Sequence, residues 1–554
     1  MGTAGGRIDD TRAGSPWSAL LVLMAVAAAL RALQWSRAVT LFNDGPLFLS
    51  MAKAAAAGDW SALLASPHHP LYSLAVAAVH ATGLDWETAA ATVSVTGGAA
   101  AVALLFLFVR DAFGVPAAWI AAGLLAVHSR AVEYSSDVQS DGLYLALFLA
   151  AVLAAWRAWT RASVRHAAAA GLAAGLAYLT RPEGIGIAVV AIGLALVSVL
   201  RRHWSPSAAL RWSASLAAAA AIGVLPYSLA LAAHTGHWTL TQKKSVEQLA
   251  GVASPTTAGA PAPGLPARIS PIAAQAAAVA HERADLDRGE DGLAVERAPR
   301  GPERAWAAAR MLARTSKSAF RYGLLLLLVP GLYAARGRPS RRGVFVAAIA
   351  GAYAIVLFAL TYQMGYVSRR HALPPLVPLF GYAGIGAFAL AGGLIRLARR
   401  RTSALPAVAA GIAAAIGVAE LYTQREPRRS EERAARSAAE WLRDHAEPGP
   451  VAARKLRLGY YAGMPYVPLV PAVDASFTAR LDAAGVRYVL ADEAEQADAI
   501  RRTAGASLRP IHQVKEGSRE AWVFERVGLP VAAAQGAPAD TSVSAGPEDA
   551  APPH

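Results

Sequence analysis

Long apolar stretches recur from residue 17 to residue 422, and short polar turns separate them. A helix that crosses a bilayer needs about 20 apolar residues. Two of the stretches, 115–130 and 166–181, are shorter than that. The candidate spans are 17–38, 87–109, 115–130, 138–158, 166–181, 184–200, 208–232, 318–335, 343–362, 372–395 and 403–421. The pattern predicts a mainly α-helical, polytopic membrane protein of about eleven transmembrane helices.

Arginine is concentrated in alternate turns between these spans. With the N-terminus inside, the cytoplasmic turns hold Arg110, then Arg157, Arg161 and Arg165, then Arg201, Arg202 and Arg211, then Arg336, Arg338, Arg341 and Arg342, and finally Arg396, Arg399, Arg400 and Arg401. Cytoplasmic loops of membrane proteins carry an excess of Lys and Arg. We therefore predict a multi-pass protein of the cell (inner or cytoplasmic) membrane, with a cytoplasmic tail over 1–16 and a C-terminus outside.

The first span exceeds the length of a signal peptide, so we interpret it as a retained anchor. Two outer loops are long, at 40–86 and 233–317. The first contains short apolar segments, 46–57 and 70–83, which we expect to lie at the membrane interface. In the second, residues 251–271 are rich in Pro, Ala, Gly and Thr, a composition typical of disorder.

The sequence changes character after the membrane domain, 17–422. A helical pattern over 430–446 ends at Pro448, and short apolar runs at 486–490 and 521–524 then alternate with helical pieces such as 475–484. This alternation predicts a small extracytoplasmic α/β domain over 423–529. Residues 530–554 have the composition of a disordered tail.

Composition agrees with the membrane and excludes several kinds of chemistry. Only 16% of the 554 residues are charged, whereas soluble domains average about 25%. The net charge of +15 lies in clusters between apolar stretches, which favours membrane lipid and not nucleic acid as the basic residues' partner. There is no cysteine, so disulfides and thiolate chemistry are excluded. No Gly-rich phosphate loop follows a strand, which argues against a nucleotide site.

Acidic residues follow the first span and open the fourth. Asp44, within Asn43-Asp44-Gly45-Pro46, suits either a helix cap or a general base near a buried cavity. Asp137 and Asp141 are four residues apart, so they would share a helix face. Two like charges on one face repel, which suggests that a cation, sugar hydroxyls or nearby Arg130 lies between them. Alternatively, the carboxylates stabilise the helix dipole at its N-terminus, which would explain Asp137 more easily than Asp141.

Polar residues at other outer turns are further candidates, because ionisable groups at membrane depth are costly. Arg181 and Glu183 join two short spans, as a binding pair or as a snorkelling ion pair. The candidates that remain are His68, His69 and Tyr72 in the first outer loop, Lys243 and Lys244 in the second, and Arg369, Arg370 and His371 before a later span. Adjacent histidines point to different faces, which favours packing and hydrogen bonding to a substrate head group over metal chelation. The outer Arg pair suits a phosphate, although anionic lipid head groups would also attract it.

These motifs, in this order, resemble the GT-C class of membrane glycosyltransferases. The closest branches look like the protein O-mannosyltransferases and the lipid A aminoarabinose and core-sugar transferases. The resemblance covers roughly residues 15–525. It rests on Asn43-Asp44, Gly58-Asp59-Trp60, His69-Pro70-Leu71-Tyr72, Asp137 with Asp141, the segment 171–184 (GLAAGLAYLTRPEG), Tyr366-Val367-Ser368-Arg369-Arg370-His371 and Tyr460-Tyr461-Ala462-Gly463.

The resemblance implies transfer of a sugar, with inversion, from a polyprenyl-phosphate carrier to an extracytoplasmic glycolipid, glycan or protein. It makes Asp44 the base, and Asp137 or Asp141 a ligand of sugar, acceptor or a divalent cation. Arg181, Lys243, Arg369 and Arg370 would hold the leaving phosphate. Relatives often have a second acid beside the first-loop Asp, and this sequence does not. The resemblance therefore implies no definite cofactor, and a bound divalent cation is an open alternative.

Two other classes of function compete with the transferase. A lipid or polysaccharide transporter or flippase would place polar groups near the midplane, in repeated halves with broken helices. Here the polar groups cluster at one end and no repeat is evident. A non-catalytic scaffold that displays the C-terminal domain would tolerate replacement of the outer carboxylates. The sequence favours the transferase.

Overall fold

The computed structural model describes residues 16–242, 294–337, 340–399, 401–469, 473 and 476–527. The chain divides into two compact units, one ending at Ser430 and one beginning at Glu431. The predictions of a cytoplasmic N-terminal tail, a disordered segment at 251–271 and a disordered tail at 530–554 concern residues that lie almost entirely outside the described ones.

The first unit is all helical where it is described, and every predicted span falls on a helix. Its α-helices are α1 Pro16–Ser36, α2 Gly45–Ala56, α3 Trp60–Leu64, α4 Leu71–His80, α5 Trp86–Phe113, α6 Val115–Val127, α7 Ser129–Tyr134, α8 Asp141–Arg161, α9 Val164–Thr180, α10 Gly186–Leu200, α11 Pro206–Thr235, α12 Pro302–Phe320, α13 Tyr322–Ala334, α14 Arg341–Met364, α15 Arg369–Leu376, α16 Phe380–Leu397 and α17 Leu405–Tyr422. The predicted mainly α, polytopic fold is confirmed.

Eight of the described helical segments are long and apolar enough to cross a membrane, fewer than the eleven spans predicted. The three others are α6, α9 and α13, with 13, 17 and 13 residues. Helix α6 is short because the chain breaks at Gly114, which has a φ of +98°, and again at His128, where α7 begins with a new N-cap. These local breaks shorten helices that a hydropathy window extends.

Side-chain contacts define two ends of the helical unit. The end that carries Asp44, here the Asp44 end, also holds the start of α8, the end of α9 and the start of α15. Arg370 contacts both Asp44 and Asp141, and Arg181, directly after α9, also contacts Asp141. At the opposite end, Asp111 in the last turn of α5 pairs with Arg157 near the end of α8. The chain passes back and forth between these ends.

Small residues let these helices approach one another closely. Gly171 and Gly175 of α9 are four apart, and a methyl group on either would press on the backbone of α11, at Leu216 and Ala220. Helix pairs in membranes commonly use such spacing because dispersion contacts replace the hydrophobic effect. The packing fixes α9, and therefore Arg181 at its C-terminal end.

The two apolar segments of the first outer loop are helices α2 and α4. The hydroxyl of Ser73 on α4 donates to the carbonyl of Phe48 on α2, at 3.1 Å. Tyr72 is buried and donates to the carbonyl of Ala90 on α5, at 3.1 Å. The loop therefore folds back on the helical unit, and the residue after Asp44 starts a well-packed helix.

The second unit is the predicted small α/β domain, which the structure confirms. Its helices are α18 Arg433–His445, α19 Leu456–Tyr461, α20 Phe477–Ala483 and α21 Ala494–Ala504, and its strands are β1 Val451–Ala453, β2 Tyr466–Pro468, β3 Tyr488–Ala491, β4 Leu508–Glu516 and β5 Arg519–Arg526. The strand order is β2-β1-β3-β5-β4. β1 pairs in parallel with β2 and β3, and β5 pairs antiparallel with β3 and β4.

The border between the units, after Ser430, lies later than the predicted border after residue 422. Arg428 and Arg429 follow the last helix, α17, but make their contacts within the first unit. The backbone carbonyl of Arg428 accepts from Val39 at 3.1 Å, and Nε of Arg429 donates to the carbonyl of Thr40 at 2.9 Å. Hydropathy marks where a span ends, whereas these contacts decide where the compact unit ends.

We predict that Gly386→Ala destabilises the helical unit and that Gly393→Ala, on the same helix, does not. A methyl group at Gly386 would overlap the carbonyl oxygen of Leu327 on α13, whereas open space surrounds that position at Gly393. Overpacking costs typically about 1–3 kcal/mol. Thermal unfolding of both variants in detergent, followed by tryptophan fluorescence, measures the effect. Equal midpoints for the two variants would contradict this close approach.

Candidate active site

A buried guanidinium lies at the centre of the Asp44 end. Nη1 of Arg370 is 3.3 Å from Oδ2 of Asp44 and 3.5 Å from Oδ2 of Asp141. The same nitrogen is 3.3 Å from Oε1 of Gln139. The four side chains are at least nine-tenths buried. The guanidinium also stacks over the ring of Phe42, 4.6 Å from its centroid. One cation thus holds together segments that follow α1, precede α8 and begin α15.

A second arginine extends this cluster. Arg181, after α9, pairs with Oδ1 of Asp141 and lies 3.7 Å from the carboxylate of Glu183. Its guanidinium lies over the ring of Tyr144, 5.4 Å from the centroid. Nε2 of His371 is 3.7 Å from the other oxygen of Glu183. Asp141 therefore bridges Arg181 and Arg370, and Glu183 joins Arg181 to His371.

The cluster has a buried side and a more accessible side. Asp44 is 1% exposed, whereas the side chain of Glu183 is 26% exposed. Arg369, beside Arg370 at the start of α15, is exposed. A ligand that reaches Asp44 would therefore pass the Glu183 and Arg369 side first.

Asp44 occupies the N-cap position of α2, but its side chain makes no capping hydrogen bond to that helix. Its carboxylate is directed to Arg370. Pro46 lies in the first turn of α2, where its missing N–H costs nothing. The local sequence thus starts the helix through backbone geometry and leaves the carboxylate to contact the cluster.

Asp137 is turned away from this cluster, which corrects the expectation that it shares a helix face with Asp141. Helix α8 begins at Asp141, and Asp137 lies in the preceding loop. Its Oδ2 is 2.6 Å from Nη2 of Arg429 and 3.4 Å from Nη2 of Arg428. The spacing of four residues does not put the two carboxylates on one helix face, because the chain between them is not helical.

The carboxylate of Asp137 also organises the loop that leads to Asp44. Its Oδ1 accepts backbone N–H groups of Phe42, at 3.1 Å, and of Val138, at 2.9 Å. Burial opposes ionisation of Asp137, but Arg429 and then Arg428 hold its pKa below the ordinary value. Asp137 therefore connects the first outer loop, the loop before α8 and the segment after α17.

The histidine and tyrosine candidates of the first outer loop are packed side chains. His68 is buried against the ring of Phe48, with centroids 4.8 Å apart. Nε2 of His69 is 3.1 Å from the hydroxyl of Thr241, and its ring contacts those of Tyr178 and Tyr227. Tyr72 contacts α5, as described above. Their described contacts lie outside the Arg370 cluster.

Three further predicted residues differ in their surroundings. Arg130 pairs with Glu133 at 2.6 Å, one turn along α7, and the described contacts give it no pairing with Asp137 or Asp141. Arg130 is close to these acids in the sequence, which suggested a contact. In the structure, α7 and the loop after it direct Arg130 to Glu133 instead. Lys243 and Lys244 lie outside the described residues.

The described residues contain no group of three or more His, Asp and Glu side chains arranged to hold a metal ion. Between Asp44 and Asp141 lies the guanidinium of Arg370, and Arg181 takes a second oxygen of Asp141. A divalent cation would have to replace these arginines. The described side chains therefore do not fit a metal.

Sequence reasoning missed several residues of this region. Gln139 carries no charge, and Arg428 and Arg429 lie beyond the last span. Arg31 lies inside α1, fully buried, where its Nε donates to the hydroxyl of Ser135 at 2.7 Å. A charge within a predicted span was a usable signal for Arg31, because such residues are costly and face the protein interior.

The fold is that of the GT-C class of membrane glycosyltransferases, as the sequence motifs suggested. It is similar to the crystal structure of the Archaeoglobus fulgidus oligosaccharyltransferase in complex with Zn and sulfate. The TM-score is 0.56 at 14% identity, over 88% of this chain and 71% of that one. At this identity the similarity concerns the fold alone.

Within that fold, residues 66–228 match the family model described as dolichyl-phosphate-mannose-protein mannosyltransferase. The match includes Asp141 and Arg181 but neither Asp44 nor Arg370. No curated protein sequence matches the chain.

Two further solved structures are more distant in shape. ArnT from Cupriavidus metallidurans, bound to undecaprenyl phosphate, gives a TM-score of 0.46 at 14% identity, over 92% of this chain and 98% of that one. The arabinofuranosyltransferase AftD from Mycobacteria gives 0.47 at 16% identity, over 93% and 40%. We base the assignment of the fold on the oligosaccharyltransferase.

We predict that Asp137→Asn lowers stability by about 3 kcal/mol at neutral pH, because the partly buried guanidinium groups of Arg428 and Arg429 then lose their carboxylate. The folded pKa of Asp137 lies below its unfolded value. Its contribution is therefore complete above the unfolded pKa, about 3.9, and is lost as pH falls from there through the folded pKa. Melting midpoints of wild type and variant should converge in acid.

The matched control is Asp85→Asn, which changes an exposed helix cap to another good capping residue. Its midpoint should stay near that of wild type at pH 7. Equal midpoints for wild type and Asp137→Asn at pH 7 would show that the ion pair does not contribute to stability.

Proposed function

We propose that this protein is an integral-membrane glycosyltransferase that moves a sugar from a polyprenyl-phosphate donor to an extracytoplasmic acceptor. The observation that carries the proposal is the convergence at one end of the helical unit of Asp44, Asp141, Arg181 and Arg370, from four separate segments. Buried acidic and basic groups that converge in this way are typical of functional sites.

The donor class is supported by the site and by the matched family model. Dolichyl phosphate, named in that model's description, is a polyprenyl phosphate. The exposed Arg369 would meet the phosphate first, and Arg181 and Arg370 would hold it as negative charge develops on the leaving oxygen. Fixed guanidinium donors stabilise such charge without reorganising.

Asp44 is the proposed general base. It would take the proton of the acceptor hydroxyl as the acceptor oxygen forms its bond to the anomeric carbon. The bond from that carbon to the phosphate oxygen breaks, and the lipid phosphate leaves. Arg370 pairs with Asp44 in the resting site, and contact of Arg370 with the phosphate would free the carboxylate to accept the proton.

Gln139 and Asp141 are the proposed ligands of the sugar or acceptor. The side-chain oxygen of Gln139 faces Arg370, and its buried Nε2 has no hydrogen-bond partner among the described residues. An unpartnered buried donor costs stability unless a ligand uses it. The sugar transferred is a hexose or a pentose, and the acceptor is a glycolipid, a cell-envelope glycan or a protein.

Arginine at the opposite end of the helices supports the proposed sidedness. The described residues at that end include Arg110, Arg157, Arg201, Arg341 and Arg396. By the positive-inside rule this end faces the cytoplasm. The Asp44 end and, with an odd number of crossings, the C-terminal domain would then be extracytoplasmic. The protein would be a multi-pass component of the cell membrane.

We predict that Asp44→Asn abolishes loss of sugar from a panel of polyprenyl-phosphate sugars in reconstituted vesicles. General acid–base catalysis contributes about 10²–10⁴-fold, so the rate should fall by at least that order. Asp59→Asn is the matched control. It lies in the same outer loop and only caps α3, and it should retain wild-type activity.

Two results would contradict parts of this proposal. Equal sugar release by wild type and Asp44→Asn would remove Asp44 as the base while leaving the transferase intact. Movement of the lipid across the bilayer without consumption of any donor would favour the transporter or flippase.

The sidedness has its own test, because the natural chain contains no cysteine. We predict that Thr82→Cys, in the turn before α5, reacts with a membrane-impermeant maleimide added to intact cells or spheroplasts. Ser207→Cys, in the first turn of α11 at the opposite end, should react only after the membrane is opened. Both positions are exposed. The reverse pattern would place the Asp44 end in the cytoplasm.

A further inference from the structure

We propose that the opposite end of the helical unit carries a separate binding site for the phosphate group of an anionic membrane lipid. The site is a cavity of about 350 Å³ lined by Asp111, Trp156, Arg157, Thr160 and Arg161. It lies between the C-terminal ends of α5 and α8. Neither the proposed transfer reaction nor the family match assigns a ligand there.

The cavity lies far from the Asp44 cluster. Helix α8 begins at Asp141, in that cluster, and ends at Arg161, beside the cavity. An α-helix rises about 1.5 Å per residue, so its 21 residues separate the two sites by about 30 Å. This is about the thickness of the hydrocarbon core. The cavity is therefore at the level of the other leaflet's head groups.

The charges of the cavity favour an anion. Asp111 accepts from Nε of Arg157 at 2.7 Å and from Nη2 of Arg110 at 3.0 Å. Arg161 is exposed and pairs with no carboxylate among the described residues. Arg110 and Arg157 thus share one carboxylate, whereas Arg161 lines the cavity without a described carboxylate partner, so positive charge is in excess there. Asp111 fixes two guanidinium groups, which reduces the entropy lost when they bind a ligand.

The donor geometry suits a phosphate. The described contact of Arg157 to Asp111 uses Nε, so its two terminal amino groups remain able to donate to a ligand. Arginine donors match phosphate oxygens in bidentate geometry. The hydroxyl of Thr160 donates to the carbonyl of Trp156 at 2.7 Å, which leaves its oxygen able to accept from a head-group hydroxyl.

Tryptophans around the cavity favour a lipid as the source of that phosphate. Trp156 lines the cavity, and Nε1 of the neighbouring Trp159 donates to Ser198 at 2.9 Å. Trp17, at the start of α1, lies under the guanidinium of Arg110, 5.6 Å from it. Tryptophan concentrates at membrane interfaces, and basic pockets between membrane helices bind anionic head groups.

The test uses Thr160→Cys as the only cysteine in the full chain, which makes the cavity reactive to a soluble maleimide. Nanodiscs of pure phosphatidylcholine are compared with nanodiscs that also contain phosphatidylglycerol. We expect phosphatidylglycerol to slow labelling and phosphatidylcholine to leave it fast. Equal labelling in the two lipids would overturn the proposal. Unchanged tryptophan thermal unfolding verifies that the variant is folded.

Two additional variants connect the protection to the arginines. Adding Arg157→Gln and Arg161→Gln should weaken the apparent affinity for phosphatidylglycerol about 30-fold, from the usual contribution of each basic residue at an anionic surface. Arg161→Gln alone breaks no described ion pair, so it keeps the test valid if the double variant misfolds, and it should give about a fivefold loss. Retained protection in both would overturn the assignment.

A matched control and a second ligand complete the experiment. Arg201→Gln with Arg202→Gln removes two exposed arginines at the same end that do not line the cavity, and protection should persist. Inorganic phosphate added to the protein in detergent distinguishes the source of the phosphate group. Protection by inorganic phosphate equal to that by phosphatidylglycerol would overturn the lipid as ligand. Protection by the lipid alone supports it.

Discussion

The Asp44 end of this protein depends on the burial of the Arg370 guanidinium among Asp44, Gln139 and Asp141. A buried charge is tolerated only when it is paired and hydrogen-bonded. The acceptors come from segments that are distant in the sequence, so the ion pairs also fix where α2, α8 and α15 begin relative to one another. In the proposed reaction the same cation has two uses, since it holds the base in the resting site and the phosphate in the occupied one.

A second ion pair supports the first. Asp137 pairs with Arg429, and its carboxylate also accepts the backbone N–H of Phe42, two residues before Asp44. Asp137 thus orders the neighbouring loops, whereas the sequence suggested that it binds a ligand. The arrangement separates Asp137 from Asp141, which a helical spacing would have put side by side. The repulsion between the two carboxylates, which had suggested a bound cation, is therefore absent.

The two ends of the helical unit carry different kinds of charge. At the Asp44 end, acids and bases are buried and pair with one another. At the opposite end, arginines are mostly exposed, and around the cavity beside Trp156 they exceed the acids. The buried pairs of the Asp44 end suit the proposed transfer reaction on a lipid-linked sugar. The excess arginines of the opposite end suit the proposed binding of an anionic lipid head group that takes no part in the reaction.

The sequence by itself determined the mainly helical, membrane-spanning character of the first unit, the α/β character of the residues after the last span and the end of the helices where acids such as Asp44 and Asp141 lie. These features are local, because apolar length and the side of a turn are readable from neighbouring residues. Only the tertiary structure decided that Arg370 contacts Asp44, that Asp137 faces Arg429, and that Arg31 and Gln139 are buried near the site. Such pairings join residues up to several hundred positions apart, and no local pattern specifies which buried charge will neutralise which.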